Sequence, residues 1–211
     1  MNLPSAGFAQ PSETQDCTTT KRDTVDHYQI IAERFQNTLE SAAMSVDQLA
    51  DPIASACELI TQALLQDRKI ISCGAGVDAA LSQLFSNSLL YSLGEERPAL
   101  PAISLGWDAG ASPTAPAAHR FSHTLRALGQ EGDVLLTISS AEPDPSVISA
   151  LEVAGERGMT TVALCNANDI PDAMFSITIN GTTRRTVVEL HTMVLQTLCE
   201  LIEASLFGTG H

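Results

Sequence analysis

From Tyr28 onward the apolar positions Ile31, Phe35, Leu39, Ala42, Val46 and Leu49 recur at spacings of three and four, which draws one stripe along a long helix. The Asp51-Pro52 pair reads as a restart, with Asp51 as N-cap and Pro52 at the first helical position of a second helix carrying Ile53, Cys57, Ile60 and Leu64. After Asp67 the pattern changes to short apolar runs bounded by turn residues. These predict buried strands over 69–73, 101–105, 133–139 and 160–165, with a weaker one over 176–179. Helical patterns lie between them over 77–93, 119–128 and 146–157, and a last long helix covers 186–206. Strand–helix alternation of this kind implies right-handed crossovers, and so an α/β sandwich: a parallel sheet with helices on both faces.

Residues 1–23 are rich in Ser, Thr, Pro and Gln without apolar periodicity and read as a tail; 24–50 reads as an N-terminal oligomerisation helix and 51–208 as the domain. A sheet already covered on both faces leaves no place for a further helix with an uninterrupted apolar stripe. Ile31, Phe35, Leu39 and Val46 are therefore expected to be buried against a second copy of the chain.

Composition narrows the class. With 44% hydrophobic and 17% charged residues in 211, the chain is a folded one. Its 25 acidic against 11 basic residues give a net charge of −14, which repels phosphate backbones and anionic lipid, so neither direct nucleic-acid binding nor membrane association is expected. No apolar run approaches the roughly 18–20 residues of a membrane span, and the start lacks the basic flank and apolar core of a secretion signal. A cytoplasmic location is expected. The five cysteines, Cys17, Cys57, Cys73, Cys165 and Cys199, are scattered and mostly within apolar segments, as for reduced structural thiols.

In an open parallel sheet the ligand crevice lies at the carboxyl ends of the strands. After the first predicted strand comes Gly74-Ala75-Gly76-Val77-Asp78, and after the third Ser139-Ser140-Ala141-Glu142-Pro143-Asp144; each turn enters a helix, so backbone N–H groups and helix dipoles converge there as in an anion site. In this order, together with Glu96-Arg97-Pro98-Ala99-Leu100-Pro101, Arg126-Ala127-Leu128-Gly129, Gly132-Asp133-Val134-Leu135-Leu136 and the closing Leu198-Cys199-Glu200-Leu201-Ile202, the turns resemble the sugar isomerase (SIS) domain from about Asp51 to Gly208. Within it they resemble the phosphoheptose isomerase branch, and best its DnaA initiator-associating (DiaA-like) subgroup. The resemblance implies a flavodoxin-like three-layer sandwich with five parallel strands, assembled as a homotetramer through its N- and C-terminal helices.

Family isomerases bind a metal and move protons with His, Glu, Gln and His at positions that hold Leu84, Ser88, Val188 and Gln196 here. Leu84 and Val188 can neither carry a proton nor bind a metal, and Ser88 is a poor base. No metal, no cofactor and no catalytic residue are therefore expected. Gly74, Gly76, Asp78, Ser139, Ser140 and Asp144 are read as a vestigial phosphosugar crevice, into which Asp78, Glu142 and Asp144 bring three carboxylates. Like charges at ~4 Å cost about 4 kcal/mol at an effective dielectric near 20, which disfavours a phosphate dianion. Asp144-Pro145 also makes a helix N-cap followed by a proline at the first position.

Of the other polar residues, His119 and His123 lie one helical turn apart without a third ligand, His191 follows Glu189 on the last helix without a partner for acid–base work, and Arg184-Arg185 reads as a solvated loop sooner than as an anion holder. Leu206-Phe207, near the end of the chain, reads as oligomer packing or a partner patch. Taken with the DiaA-like resemblance, these losses lead to the expectation of a non-enzymatic, multivalent scaffold that binds the bacterial replication initiator DnaA and regulates initiation of replication. The alternative is an isomerase of sedoheptulose 7-phosphate, or a sugar-phosphate-binding protein, with a diverged site.

Overall fold

A computed structural model describes residues 25–94, 96–106 and 117–208; the tail expected over 1–23, Cys17 and the loop from Trp107 to Pro116 lie outside the described residues. Five strands, β1 (Ile70–Gly74), β2 (Ala102–Leu105), β3 (Val134–Ser139), β4 (Thr160–Asn166) and β5 (Phe175–Ile179), form one sheet in the order β2-β1-β3-β4-β5. All four pairings are parallel. β1 and β3 are buried along their whole length because helices cover both faces, which is why they read as continuous apolar runs instead of alternating ones.

The first face carries α1 (His27–Leu65), α2 (Val77–Tyr91) and α5 (Arg184–Phe207), whose Ile60, Phe85, Leu198 and Ile202 share a core with Val134, Leu136 and Ile138. The second carries, among the described residues, α3 (Arg120–Leu128) and α4 (Pro145–Glu156), which pack Phe121, Leu125, Val147 and Leu151 on Ile71, Cys73 and Leu135. β5 turns Ile177 and Ile179 to the first core and leaves the short Ser176 and Thr178, which alternate with them, half-buried. Three helices against two is the asymmetry that matters below.

The expected restart at Asp51 does not occur. α1 is a single helix of 39 residues with Pro52 inside it. A proline removes one ladder hydrogen bond and crowds the carbonyl four residues before it, here that of the exposed Gln48. Against that cost stands an unbroken stripe across the proline, Leu49, Ile53, Ala56, Cys57 and Ile60, all buried in the first core, which only a continuous helix keeps in phase. The part of α1 before Leu49 projects past this core: Ile31, Phe35, Leu39 and Val46 are each more than half exposed. It is tied to α5 by an ion pair between Arg34 and Glu189, and Glu189 also accepts a 2.7 Å bond from the Thr38 hydroxyl.

Two polar clamps fix the ends of the elements. At the amino ends of β1 and β3, the buried Asp133 accepts bonds from Lys69 N (3.1 Å), Lys69 Nζ (2.5 Å) and Gln130 N (2.8 Å). Beyond α2, Arg97 donates to the carbonyls of Ser88 (2.9 Å) and Leu89 (2.8 Å) and forks onto Glu203 of α5. Leu206 packs against the first core, and the Phe207 ring lies 6.0 Å from the Arg97 guanidinium carbon. Much of the Leu206-Phe207 pair is thus used within its own chain, although Phe207 stays 48% exposed.

Candidate active site at the carboxyl ends of β1 and β3

The chain leaves β1 toward one edge of the sheet and β3 toward the other, so the crevice above their carboxyl ends is the switch point where such folds bind ligands. The turn out of β1 has no room for side chains at Gly74, where an added Cβ would stand 2.6 Å from the Asp78 carbonyl oxygen. Gly76, with φ +61°, caps α2 in a backbone conformation that suits glycine.

Asp78, in the first turn of α2, is 4% exposed. Its Oδ2 accepts bonds from the Ser140 amide (3.0 Å) and hydroxyl (3.1 Å); Arg184 Nη2 stands 3.9 Å away, and Arg184 Nε donates to the Ser140 hydroxyl (3.1 Å). Burial pushes the Asp78 carboxyl above its ordinary range, and the Ser140 bonds and the Arg184 charge pull part of the way back. The carboxylate thus ties the β1 turn to the β3 turn, filling with the chain's own charge a place where helix ends favour an anion.

Asp144 caps α4, accepting from the Ser146 amide (2.9 Å) and hydroxyl (2.5 Å). Burial pushes its carboxyl up, but the Ser146 bonds and the Arg120 charge outweigh that and hold it below the ordinary range, so it is ionised at neutral pH. Beside it opens a cavity of about 330 Å³ lined by Gly74, Gly76, Gly106, Arg120, Phe121 and Asp144. The cavity brings a guanidinium and a carboxylate to one polar space, an arrangement suited to a hydroxylated, anionic ligand.

The expected crevice residues Gly74, Gly76, Asp78, Ser139, Ser140 and Asp144 do converge around the ends of β1 and β3, with Ser139 and Ser140 buried. Of the three expected carboxylates, however, Glu142 is exposed and lines a groove on the other side of α4, so two enter the crevice. Arg184 is a second correction: it is the first residue of α5, not a loop residue, because Thr183 caps that helix, and it holds an anion after all, the Asp78 carboxylate. Arg120 was missed. It lies just after the stretch from Trp107 to Pro116, and nothing in the local pattern ties it to Asp144.

Leu84, Ser88, Val188 and Gln196 make no acid–base or metal site. Ser88 donates to the Leu84 carbonyl (2.8 Å), Val188 packs against the first core and Gln196 is exposed. No group of three His, Cys, Asp or Glu suited to a metal occurs among the described residues, and His119 instead pairs with the Ser149 hydroxyl (3.3 Å). These positions do not fit the family's metal ion. His191 is fully buried on α5. Cys73, Cys165 and Cys199 are buried free thiols, and burial pushes them up to about 12, 11 and 12, so they are protonated and inert at neutral pH.

Among the described residues no helix is long and apolar enough to cross a membrane. The SIS domain model matches residues 34–166. A phosphoheptose isomerase of Halorhodospira halophila is 34% identical over 194 residues, covering 87% of this chain and 98% of the relative, and one of Pseudoalteromonas atlantica is 35% identical over 188 residues, covering 82% and 93%. The structure of phosphoheptose isomerase GmhA from Neisseria gonorrhoeae superposes with a TM-score of 0.76 at 28% identity, covering 84% of this chain and 98% of that one. These relatives are named as enzymes and match over most of their length, which overturns the expectation of a non-catalytic, DnaA-binding scaffold: that inference rested on the DiaA-like resemblance and the lost side chains, and the relatives support the isomerases and not the DiaA-like subgroup. The chain belongs to the SIS domain family and, within it, to the phosphoheptose isomerase family.

Proposed function

We propose that the protein is a sugar-phosphate isomerase acting on a phosphoheptose, with its reacting site in the cavity beside Asp144. The observation that carries this reading is that Asp144 and Arg120, whose charge acts on it, line one cavity in a chain whose relatives are named phosphoheptose isomerases. Aldose–ketose isomerisation takes a proton from the hydroxyl-bearing carbon, passes through an enediol and returns the proton to the neighbouring carbon. Leu84, Ser88, Val188 and Gln196 cannot serve as the pair for this, so the transfer falls to Asp144, an ionised carboxylate held rigid as a helix cap. Arg120 suits the phosphate or the developing enediolate charge.

Asp144→Asn tests this without disturbing the fold, because Asn caps a helix about as well as Asp. Sedoheptulose 7-phosphate is incubated in D2O, and deuterium incorporation and aldose formation are followed by NMR. Wild type is expected to turn over, and Asp144→Asn to be slower by about 100-fold or more with Tm lowered by no more than a few degrees. A wild type that neither exchanges nor isomerises sinks the reading, and equal rates in the variant remove Asp144 from it.

The chain is further proposed to work as a homotetramer, supported by the exposed stripe Ile31, Phe35, Leu39 and Val46, which continues into an apolar hollow of about 490 Å³ between α1 and α5 that includes Leu49, Ile53 and Met193. Phe35→Asp should halve or quarter the mass seen by light scattering. A wild type already running as a monomer would refute it.

A further inference from the structure

The second face of the sheet has an open slot. Alongside α4 the chain from β4 to β5 crosses the face as a loop over 167–174 instead of a helix, and between the two lies a groove of about 600 Å³, within the roughly 300–1,000 Å³ typical of ligand pockets. Its floor includes Ile148, Leu151, Ile170 and Met174, of which Ile148 is 46%, Ile170 56% and Met174 71% exposed. Its rim holds Glu142, Glu152, Glu156, Asp169 and Asp172, with no Lys or Arg among the lining residues. Among the described residues, Arg126 reaches this rim, 3.8 Å from Glu156 in an exposed, weak pair.

We propose that this groove docks a cationic amphipathic helix of a partner protein. Charge complementarity selects the sign: five carboxylates around an apolar floor attract a segment carrying Lys or Arg on the flanks of an apolar stripe. A second copy of this chain, with a net charge of −14, matches this acidic rim less well than a cationic segment does. The layer selects the conformation. Among the described residues the first face is covered by three helices and the second by two, so a helix beside α4 completes the second layer and covers the flank where β5 presents Ser176 and Thr178. α4 has 12 residues, about 18 Å, which sets the length of the occupant at three to four turns. The inference stands on a different surface from the crevice and holds whether or not the isomerase reading does.

The test uses the full chain and a fluorescent peptide of about 14 residues, built only of Leu and Lys with Leu at helical spacings of three and four. Fluorescence anisotropy gives affinity, and hydrogen exchange followed by mass spectrometry gives location. Saturable binding is expected, with protection confined to 146–156 and 167–174 and an affinity loss of tenfold or more in the surface variant Glu152→Lys/Glu156→Lys. Ile170→Ser, at an exposed position that leaves the core untouched, should weaken binding without changing charge. A scrambled peptide of the same composition, or one with Glu for Lys, should not bind. The proposal is overturned by absence of binding, by protection elsewhere, by equal affinity for the scrambled peptide, by full displacement with spermine, which would reveal a site for simple polycations, or by variants that bind as wild type does.

Discussion

Arg97→Met is expected to lower the free energy of unfolding by about 3–5 kcal/mol, the usual cost of removing one partner from a buried ion pair, and to lower Tm by roughly 10 °C for a chain of this size. The Arg97 side chain is 6% exposed, and Glu203 beside it 24%. Four roles converge on one guanidinium: it satisfies carbonyls at the end of α2, pairs with Glu203, joins α2 to α5, and covers one face of Phe207. Methionine matches the length of the stem but leaves the Glu203 carboxylate without its partner and the Phe207 ring bare. Arg97→Lys should recover only part of the loss, because an ammonium cannot make the planar fork onto carboxylate and carbonyls together. Urea denaturation measures both variants. A change below 1 kcal/mol for Arg97→Met would show that Glu203 and the α2 carbonyls are satisfied by water, and that the clamp holds nothing.

Acidification should destabilise the protein through one buried histidine. His191 is fully buried, neither ring nitrogen has a well-aligned hydrogen-bond partner, and burial pulls its pKa from 6.5 down to about 4, with the Cys165 backbone restoring a little. Between those two values the unfolded chain binds a proton that the folded chain refuses, so stability falls as the pH drops through 6.5, and this loss levels off below about 4. The shift corresponds to about 3 kcal/mol, of which about 2 kcal/mol is lost between pH 7 and pH 5. Asp144 and Glu189, with depressed pKa values, lose their own contributions at lower pH, and Asp78, with a raised one, works in the opposite sense there. Urea midpoints at pH 7, 6 and 5 in wild type and His191→Leu separate the effects. The wild-type slope should flatten in the variant; the same slope in both would assign the pH dependence to other groups.

The sequence by itself determined the layer architecture. Strands buried on both faces must be short continuous apolar runs, and helices must carry apolar stripes at spacings of three and four, so the five strands and the helices α2 to α5 were legible from local pattern. The Asp144-Pro145 cap was legible for the same reason, since an N-cap is satisfied within two residues of its own position. Where the outcome depended on residues distant in sequence, local pattern misled or fell silent. Asp51-Pro52 carries a helix-start signal, but burial of Leu49 and Ile53 on one face overrode it. Asp78, Ser140 and Arg184 span three segments and meet only because parallel crossovers bring the carboxyl ends of β1 and β3 together at the start of α5. The same holds for Arg120 and Asp144, and for the groove, which lies between α4 and the β4–β5 loop. By its resemblance, the sequence implied loss of the family's acid–base side chains at Leu84, Ser88, Val188 and Gln196. That this loss does not make the chain a scaffold followed from similarity to enzymes over most of their length and from the charged cavity that only the tertiary structure assembles, because a site is a set of distances and a sequence contains none.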